Sequence, residues 1–444
     1  MQNDKNLLLI FTYASAGLGH LRVTDALYRG LPKNAQPIVL GSHDKEITFL
    51  HRLASASIFG RRIMEYFQYG VLEEIFTAVY RKFLRLRTKK VYEQLETLIE
   101  EHINPPKKVL IVSTHFSLAH QIAEIKNKLS AEKKVQIILA VQVTDDSPQK
   151  IWYVDNADVI FVPSIYTKKT LLDYGERRKL AKVHFEVVSY PVSPTLARTD
   201  DFFYRKRKEA LSVGSQDQIK IVLPVSGAAV DLLFYEKMIA NLLFESSRFH
   251  FYIISKEASF TKKFLEVLKG KTNVSIFSSK EDREVVRLYE KVYLENPIAV
   301  EISKPSEQAF KALIPFSAVG GSVLLFTNPV GRQEEDNLNF LIHHKLIPNK
   351  EKNEILINEL LKEKEEIDLE RIKKIALGLR GFCLPFGSLR SFRCVVNALA
   401  TGLFSKMAEA EKPKGAEDVK QTEVSADGVG KFWEKVEELL GKSG

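Results

Sequence analysis

The sequence predicts an α/β chain of two doubly wound domains, each built on a parallel sheet. Short apolar runs such as 108–113 and 135–143 alternate with segments of helical periodicity, a pattern typical of parallel strands with helices on both faces. The unit of strand, small-residue loop and helix occurs near the start and again after position 218. With 444 residues, 45% of them hydrophobic, the chain is long enough for two globular domains.

The first of these units opens with a buried-strand pattern at 7–11, turns through Gly17 and Gly19 and enters a helix near His20. Glycines permit a tight turn and let a ligand approach bare backbone, and the N–H groups of a helix start favour an anion or a polar ligand. An ordinary βα turn has the same form. An imidazole at His20 can reach a bound hydroxyl, or it can have a structural role by capping backbone.

Three candidate site residues follow predicted strands of this first domain. His115 comes soon after 108–113, Asp145 comes after 135–143, and His20 follows the first strand. Because ligands bind beyond the carboxyl ends of strands in a doubly wound sheet, the sequence predicts one site that contains all three.

A long helical insertion is predicted from about 46 to 101. Two adjoining apolar rows run through it at helical spacing: Ile63, Phe67, Val71, Ile75, Val79 and Phe83, and Leu72, Phe76, Tyr80 and Leu84. Cations without an acid follow at Arg81, Lys82, Arg85, Arg87, Lys89 and Lys90. The pattern fits a core-packed helix before a solvated turn, or a surface on an anionic bilayer, where each basic residue adds about 1 kcal/mol.

A domain boundary is predicted after 192, where Pro191 and Pro194 suit a stiff crossing. The second domain opens with an apolar strand at 219–224 and a small loop that contains Ser226 and Gly227, a unit suited to holding a diphosphate. The composition of 406–430 predicts disorder. The end, 431–444, reads as a short amphipathic helix that docks on the body or touches a membrane.

Several of these segments resemble, in the same order, GT-B glycosyltransferases of a family 28-like group. This group holds monogalactosyldiacylglycerol synthases, diacylglycerol glucosyltransferases and the N-acetylglucosaminyltransferase of peptidoglycan lipid intermediates. The segments are 15–20, 144–164, 189–194 and 331–337. The resemblance implies two Rossmann-like domains facing a central cleft, an acceptor domain (1–192) with the helical insertion and a nucleotide-sugar donor domain (193–385). It also implies that a helix at 386–405 crosses back to the first domain.

The resemblance further implies roles for residues of the second domain. Ser226, Gly227 and Lys304 would hold the diphosphate, while Glu307 would accept the ribose hydroxyls or would only complement a helix dipole as a first-turn acid. Four residues after the strand at 323–326 would recognise the sugar through paired donors and acceptors: Gly331, Gln333, Glu334 and Asn337. The two glycines that the family carries after its lysine-proline are missing after Pro305, which puts the pyrophosphate and sugar contacts of that loop in doubt.

The implied reaction moves a hexose or N-acetylhexosamine from a UDP-sugar to a hydroxyl, with a membrane lipid as the expected acceptor. His20 and Asp145 are both candidates for the base. No metal and no cofactor beyond the UDP-sugar are expected, because helix starts and Lys304 would neutralise the diphosphate and no Asp-x-Asp motif lies near these loops. Two alternatives remain: a sugar-nucleotide epimerase of the same architecture, and a degenerate protein that binds nucleotide or lipid without chemistry.

Charge and segment composition predict where the protein acts. The net charge of +9 suits a nucleotide diphosphate, an anionic lipid or a nucleic acid as a partner. No nucleic-acid-binding motif in the sequence supports the last of these. No signal-peptide pattern and no apolar run of membrane-spanning length is present in the sequence. We therefore expect a cytoplasmic protein that is peripheral on the inner face of the membrane.

Overall fold

The computed structural model describes residues 6–14, 18–32, 35, 37–42, 70–225, 229–409 and 422–442. The chain divides into two compact units, one formed by Met1–Ser193 with Asp427–Gly444 and the other by Pro194–Ala426. Each unit contains a six-stranded sheet, and all the pairings between its strands are parallel. The predicted fold class, an α/β chain with two doubly wound, Rossmann-like domains, is confirmed. No helix within the described ranges is both long and apolar enough to cross a membrane.

The first unit has its strands in the order β2-β1-β3-β4-β5-β6. The strands are β1 Leu7–Ala14, β2 Ile38–Ser42, β3 Lys108–Ser113, β4 Gln136–Gln142, β5 Val159–Val162 and β6 Phe185–Val187. Its helices are α1 Leu18–Arg29, α2 Gly70–Leu86, α3 Lys89–Glu100, α4 Phe116–Lys133 and α5 Ile165–Arg177, with a 3₁₀ turn at Lys150–Trp152 and a C-terminal helix at Gly428–Lys442. Successive residues of β1 and β3 are buried on both faces, as expected of strands in a covered parallel sheet.

The second unit has its strands in the order β12-β11-β10-β7-β8-β9. The strands are β7 Ile219–Pro224, β8 Phe249–Lys256, β9 Val274–Ser279, β10 Val300–Ser303, β11 Val323–Phe326 and β12 Gly381–Cys383. Its helices are α6 Pro194–Ala197, α7 Asp201–Leu211, α8 Leu232–Glu245, α9 Ser259–Leu268, α10 Asp282–Glu295, α11 Arg332–His343, α12 Lys350–Leu360, α13 Leu369–Ala376, α14 Ser388–Ala400 and α15 Leu403–Ala408. Two 3₁₀ segments, Glu307–Leu313 and Lys364–Glu366, complete it.

Each sheet has one point where the strand order reverses. In the first sheet β1 lies between β2 and β3, and in the second sheet β7 lies between β8 and β10. Loops that leave the two strands at such a point diverge to opposite sides and open a crevice, which is where ligands bind in this class of sheet. The fold therefore places the candidate site regions at the carboxyl ends of β1 and β3, and of β7 and β10.

The C-terminal part of the chain differs from the prediction. The helix predicted at 386–405 to cross back, α14, belongs to the second unit, and Cys394 and Ala398 are buried in that unit's core. The segment that rejoins the first unit is the C-terminal helix. Its Phe432 ring lies 4.5 Å from the ring of Phe161, and Trp433 Nε1 donates a 2.9 Å hydrogen bond to Leu27 O. Of the two options for this helix, docking on the body is the one the structure contains.

The prediction of disorder over 406–430 is wrong at both ends. Met407 and Ala408 are buried at the end of α15, and Glu423 is buried with its Oε2 2.9 Å from His344 Nε2. Residues 410–421 lie outside the described residues. The order at these two ends could not be predicted from their polar composition, because a few packed side chains are enough to fix a short segment.

The helical insertion contains α2 and α3, and its residues 46–69 lie outside the described residues. α2 directs a polar face toward its own unit: Glu73 Oε1 accepts from Lys150 N at 2.8 Å, and Arg81 and Arg85 both bond the Asp155 carboxylate. The predicted row of six cations is therefore divided. Arg81 and Arg85, four residues apart, face inward, and the four that remain exposed are Lys82, Arg87, Lys89 and Lys90.

Candidate functional site

His20 lies in the first turn of α1, at the reversal point of the first sheet. Its Nδ1 is 2.7 Å from Thr114 O, the carbonyl that follows β3, and 3.1 Å from Thr144 Oγ1, which follows β4. A carbonyl oxygen only accepts, so Nδ1 carries the hydrogen, and in the neutral ring Nε2 then carries the lone pair. This is the tautomer that a general base needs.

Three threonines fix the position of His20. Thr24 Oγ1 donates to His20 O at 2.8 Å and lies 2.7 Å from Thr114 Oγ1, and Thr114 Oγ1 is also 3.2 Å from His20 O. The backbone of His20 is thereby tied to α1 and to the end of β3, while Thr144 contacts its ring. None of these hydroxyls was predicted as a site residue from the sequence.

Aromatic rings pack beside His20. The His115 ring is 4.9 Å from it, edge to face, and stacks on Phe116 at 4.7 Å. Trp152 meets Phe116 at 5.6 Å and His20 at 6.2 Å. His115 is only 1% exposed, so in this structure it supports the His20 ring and does not line an open surface. The structure thus brings His20 and His115 together, as predicted.

Two neighbouring carboxylates after β4 have different surroundings. Asp146 is buried and accepts from Ser164 Oγ and from Thr167 Oγ1, the latter at 2.7 Å, while Ser164 caps α5 through a 3.0 Å bond from Thr167 N. Asp146 therefore holds the loop against α5. Asp145, the predicted base candidate, directly follows Thr144 and is half-buried, so it stands next to a residue that contacts His20.

In the second unit Lys304 joins the loops of three neighbouring strands. It directly follows β10, and its Nζ bonds both the Asp231 carboxylate, which follows β7, and Asn328 O, which follows β11, at 2.6 Å in the second case. The side chain of Lys304 is 3% exposed and that of Asp231 is 40% exposed. The predicted phosphate-binding cation is thus already paired with a carboxylate on its solvent side.

The turn after β11 is shaped by Gly331 and Glu334. Gly331 has φ of 80° and ψ of 172° immediately before α11, a conformation open in practice to glycine alone. Glu334 Oε2 accepts from Val330 N at 2.6 Å. Burial above all, with smaller contributions from Glu307 and Asp231, raises the pKa of Glu334 to about 7, although the Val330 N–H and Lys304 act to lower it. The predicted residues Lys304, Glu307 and Glu334 therefore lie within electrostatic reach of one another.

The remaining predicted residues of this unit have separate places. Glu307 opens the 3₁₀ segment after β10 and is half-buried, as is Gln333 on the first turn of α11. Asn337 is fully buried, and its Nδ2 donates to Pro305 O at 3.2 Å. Asn337 therefore fastens the loop after β10, and in this structure its amide is turned to protein backbone and not to a sugar.

Some predicted residues are not described, and some residues near the site went unpredicted. Gly17, Ser226 and Gly227 lie outside the described residues; Gly19 lies in the first turn of α1. Asp231 was missed, although an acid shortly after a small-residue loop is a signal that sequence offers. Its backbone has φ of 63°, which aspartate tolerates better than most residues.

No protein-family model matches the sequence, and no curated protein matches it. Among solved structures, the chain is similar to S. aureus MnaA in a co-structure with UDP, with a TM-score of 0.49, 10% identity and 98% of this chain and 96% of that chain covered. It is also similar to the UDP-GlcNAc 2-epimerase from Neisseria meningitidis bound to UDP-GlcNAc, with a TM-score of 0.47, 11% identity and 98% of this chain and 99% of that chain covered. A third similar structure is Arabidopsis thaliana UGT89C1 complexed with UDP-L-rhamnose, with a TM-score of 0.46, 13% identity and 97% of this chain and 98% of that chain covered. At such identities and scores, the likeness carries no argument about the chemistry of this chain.

Proposed function

We propose that the protein transfers a hexose or N-acetylhexosamine from a UDP-sugar to a hydroxyl acceptor. The observation that carries this proposal is the meeting of Lys304 with the loops of β7, β10 and β11, together with the Glu307 and Glu334 carboxyls. A cation at a strand-order reversal suits a diphosphate, and the neighbouring carboxyls suit sugar and ribose hydroxyls. A sugar-nucleotide epimerase, the alternative that the sequence left open, is distinguished from a transferase by a turnover assay.

In the proposed reaction His20 acts on the acceptor. Its Nε2 takes the proton of the acceptor hydroxyl while the acceptor oxygen bonds to the sugar C1 and the bond from C1 to the diphosphate oxygen breaks. Lys304 stabilises the charge that develops on the departing UDP. Asp145 remains the second candidate for the base. The carboxylate of Asp231 must release Lys304, or share it, when the diphosphate arrives.

We propose that the acceptor is a membrane lipid and that α2 contacts the inner face of the membrane. Because its polar face packs inward, α2 leaves Leu72, Ile75, Phe76, Val79 and Leu86 exposed by 40% to 78%. Surface helices of water-soluble proteins normally have the opposite orientation. Exposed cations beside this apolar face, Lys82 and Arg87 among them, suit anionic headgroups.

The test is calorimetry of the purified protein with uridine, UDP and the UDP conjugates of glucose, galactose and N-acetylglucosamine. We expect micromolar binding of one conjugate and a loss of about 10-fold to 100-fold in Glu307→Ala, the range for hydrogen bonds to a charged group. Glu335→Ala removes an exposed carboxylate from the first turn of α11 and serves as the matched control, with unchanged affinity.

Turnover of the conjugate that binds then separates the alternatives. Sugar transfer that requires an added hydroxyl acceptor supports the transferase, whereas conversion of the donor without acceptor identifies an epimerase. Donor binding without any turnover identifies a binding protein. If the folded protein binds no uridine nucleotide, the proposed function is overturned.

A further inference from the structure

We infer that Glu301 and Lys311 are positioning residues that set the ribose selectivity of the donor site, an inference that rests on the proposed function. Lys311 Nζ donates to Glu301 Oε2 at 2.8 Å, and the two side chains are 6% and 0% exposed. They flank the segment that carries Lys304 and Glu307. The ion pair therefore joins the two ends of the segment that contains two of the proposed donor contacts.

Glu301 is the fixed end of this segment. It lies on β10, in register with Leu324 of β11 and Val222 of β7, so its backbone is held from both sides of the sheet. Its Oε2 also accepts from Tyr289 OH at 2.8 Å and from Tyr293 OH at 2.6 Å. Three donors on one buried oxygen leave the carboxylate little freedom to move.

Lys311 lies at the other end of this segment, where the local backbone is less well held than β10. It lies in the 3₁₀ segment Glu307–Leu313, whose seven residues exceed the usual length of such helices, which are poorly stabilised by their own hydrogen bonds. Its Nζ also lies 3.5 Å from the ring centroid of Tyr293 and 3.3 Å from Ser322 Oγ. The ion pair therefore helps to fix the orientation of this segment, and Glu307 lies at its start.

A role in stability alone is a weak account of the pair. Burying two charges costs desolvation, and apolar residues of similar size in their place are often neutral or stabilising. The loop after β10 has independent anchors at Lys304 and at Pro305, whose carbonyl accepts from Asn337, but these lie before Glu307. After Glu307 the chain is held by the ion pair and by Phe310, whose ring lies 5.3 Å from that of Phe340.

The experiment compares the affinities for UDP and 2′-deoxy-UDP. If Glu307 accepts the ribose hydroxyls, the wild-type protein should prefer UDP by about 10-fold to 100-fold, as for a hydrogen bond to a charged group. Lys311→Met should bring this ratio close to one and Lys311→Arg should restore it. Glu301→Gln, which keeps the volume and an acceptor for the two tyrosines, should lower the ratio and remains informative if Lys311→Met does not fold.

The matched control is Glu359→Gln, which alters a buried carboxylate of α12 that bonds Lys362, Arg371 and Asp368 N. It should leave the ratio unchanged. A merely structural role of the pair would weaken both ligands equally and keep the ratio, so a wild-type ratio in folded Lys311→Met and Glu301→Gln proteins would overturn the inference. Absence of UDP binding by the wild-type protein would instead overturn the proposed function and the inference with it.

Discussion

The two reversal points of this chain have the same topology but different chemistry. In the first unit, His20 is surrounded by threonine hydroxyls and aromatic rings. In the second unit, Lys304 lies among the carboxyls of Asp231, Glu307 and Glu334. The first environment fixes one imidazole tautomer, and the second balances charges whose sum changes with pH. Strand order thus provides the place for a site, and the side chains on the loops decide what that place can do.

Under the proposed function, the first unit would carry out proton transfer and the second would bind the donor. Changes at His20 should then alter turnover without altering donor affinity, and changes around Lys304 should alter donor affinity first. Each prediction below separates the two regions further or shows that the separation is wrong.

The largest effect is expected for His20→Ala. Loss of a general base lowers turnover by about 10²-fold to 10⁴-fold, whereas affinity for the UDP-sugar should stay within about twofold, since the donor contacts of the second unit remain. Steady-state rates and calorimetry on the same preparation measure both. His184→Ala is the control, because His184 is an exposed histidine of the same unit that pairs with Glu186. Equal loss of binding and turnover would remove the distinction between the two regions.

A smaller effect is expected from pH at Glu334. Its pKa of about 7 means that the carboxyl is largely neutral at pH 6 and largely ionised at pH 8. The diphosphate of a UDP-sugar keeps its charge over this range, so repulsion should lower its affinity as pH rises through 7, by up to about tenfold per pH unit. Glu334→Gln, which stays neutral, should give a flat profile in calorimetry between pH 6 and 8. A wild-type profile that is already flat would contradict the charge balance described for this site.

Thr24→Val should have a moderate effect on the first unit. Thr24 is buried and bonds both His20 O and Thr114, so loss of its hydroxyl should lower the free energy of unfolding by about 1–3 kcal/mol and should lower turnover. Thr170→Val removes the same kind of bond to the carbonyl four residues earlier, but a solvent-exposed one at a half-buried position of α5, and should change neither. Chemical denaturation and rate measurements on both variants test this prediction. Equal effects of the two substitutions on stability and turnover would contradict it.

The smallest effect is expected at the surface of α2. Lys82→Ala should weaken sedimentation with vesicles of anionic phosphatidylglycerol by about fivefold, the equivalent of about 1 kcal/mol per basic residue. Lys237→Ala, at an exposed position of α8 in the second unit, is the control and should have no effect. Binding of the wild-type protein to neutral phosphatidylcholine vesicles as strong as to anionic ones would contradict a role for these cations.

Much of the fold was predictable because buried parallel strands leave a local signal. The runs at 108–113, 219–224 and 323–326 coincide with β3, β7 and β11. Strand ends then indicated His20, His115 and Asp145, whereas Lys304 was implied only by the resemblance. Because the carboxyl ends of parallel strands lie at the same edge of a sheet, residues that follow different strands become neighbours. The sequence alone could therefore indicate that His20 and His115 lie together.

The partners of these residues were not predictable in the same way. Thr24, Thr114 and Thr144 come from three separate elements, and a hydroxyl has no periodic signal that distinguishes it from a solvated one. Two ion pairs with Asp155 set the orientation of α2 and override the rule that the apolar face packs inward. Asn337 has the residue type of a sugar contact but is fully buried against Pro305, since its position on α11 faces the neighbouring loop.

The most direct test of the central claim is hydrogen–deuterium exchange of the protein with and without saturating UDP. The account predicts slower exchange in peptides that contain Asp231, Lys304 to Glu307 and Thr327 to Glu334, and unchanged exchange around His20, Thr114 and Thr144. Protection confined to the first unit, or absent from both units while calorimetry shows binding, would contradict the assignment of the donor site to the reversal point of the second sheet.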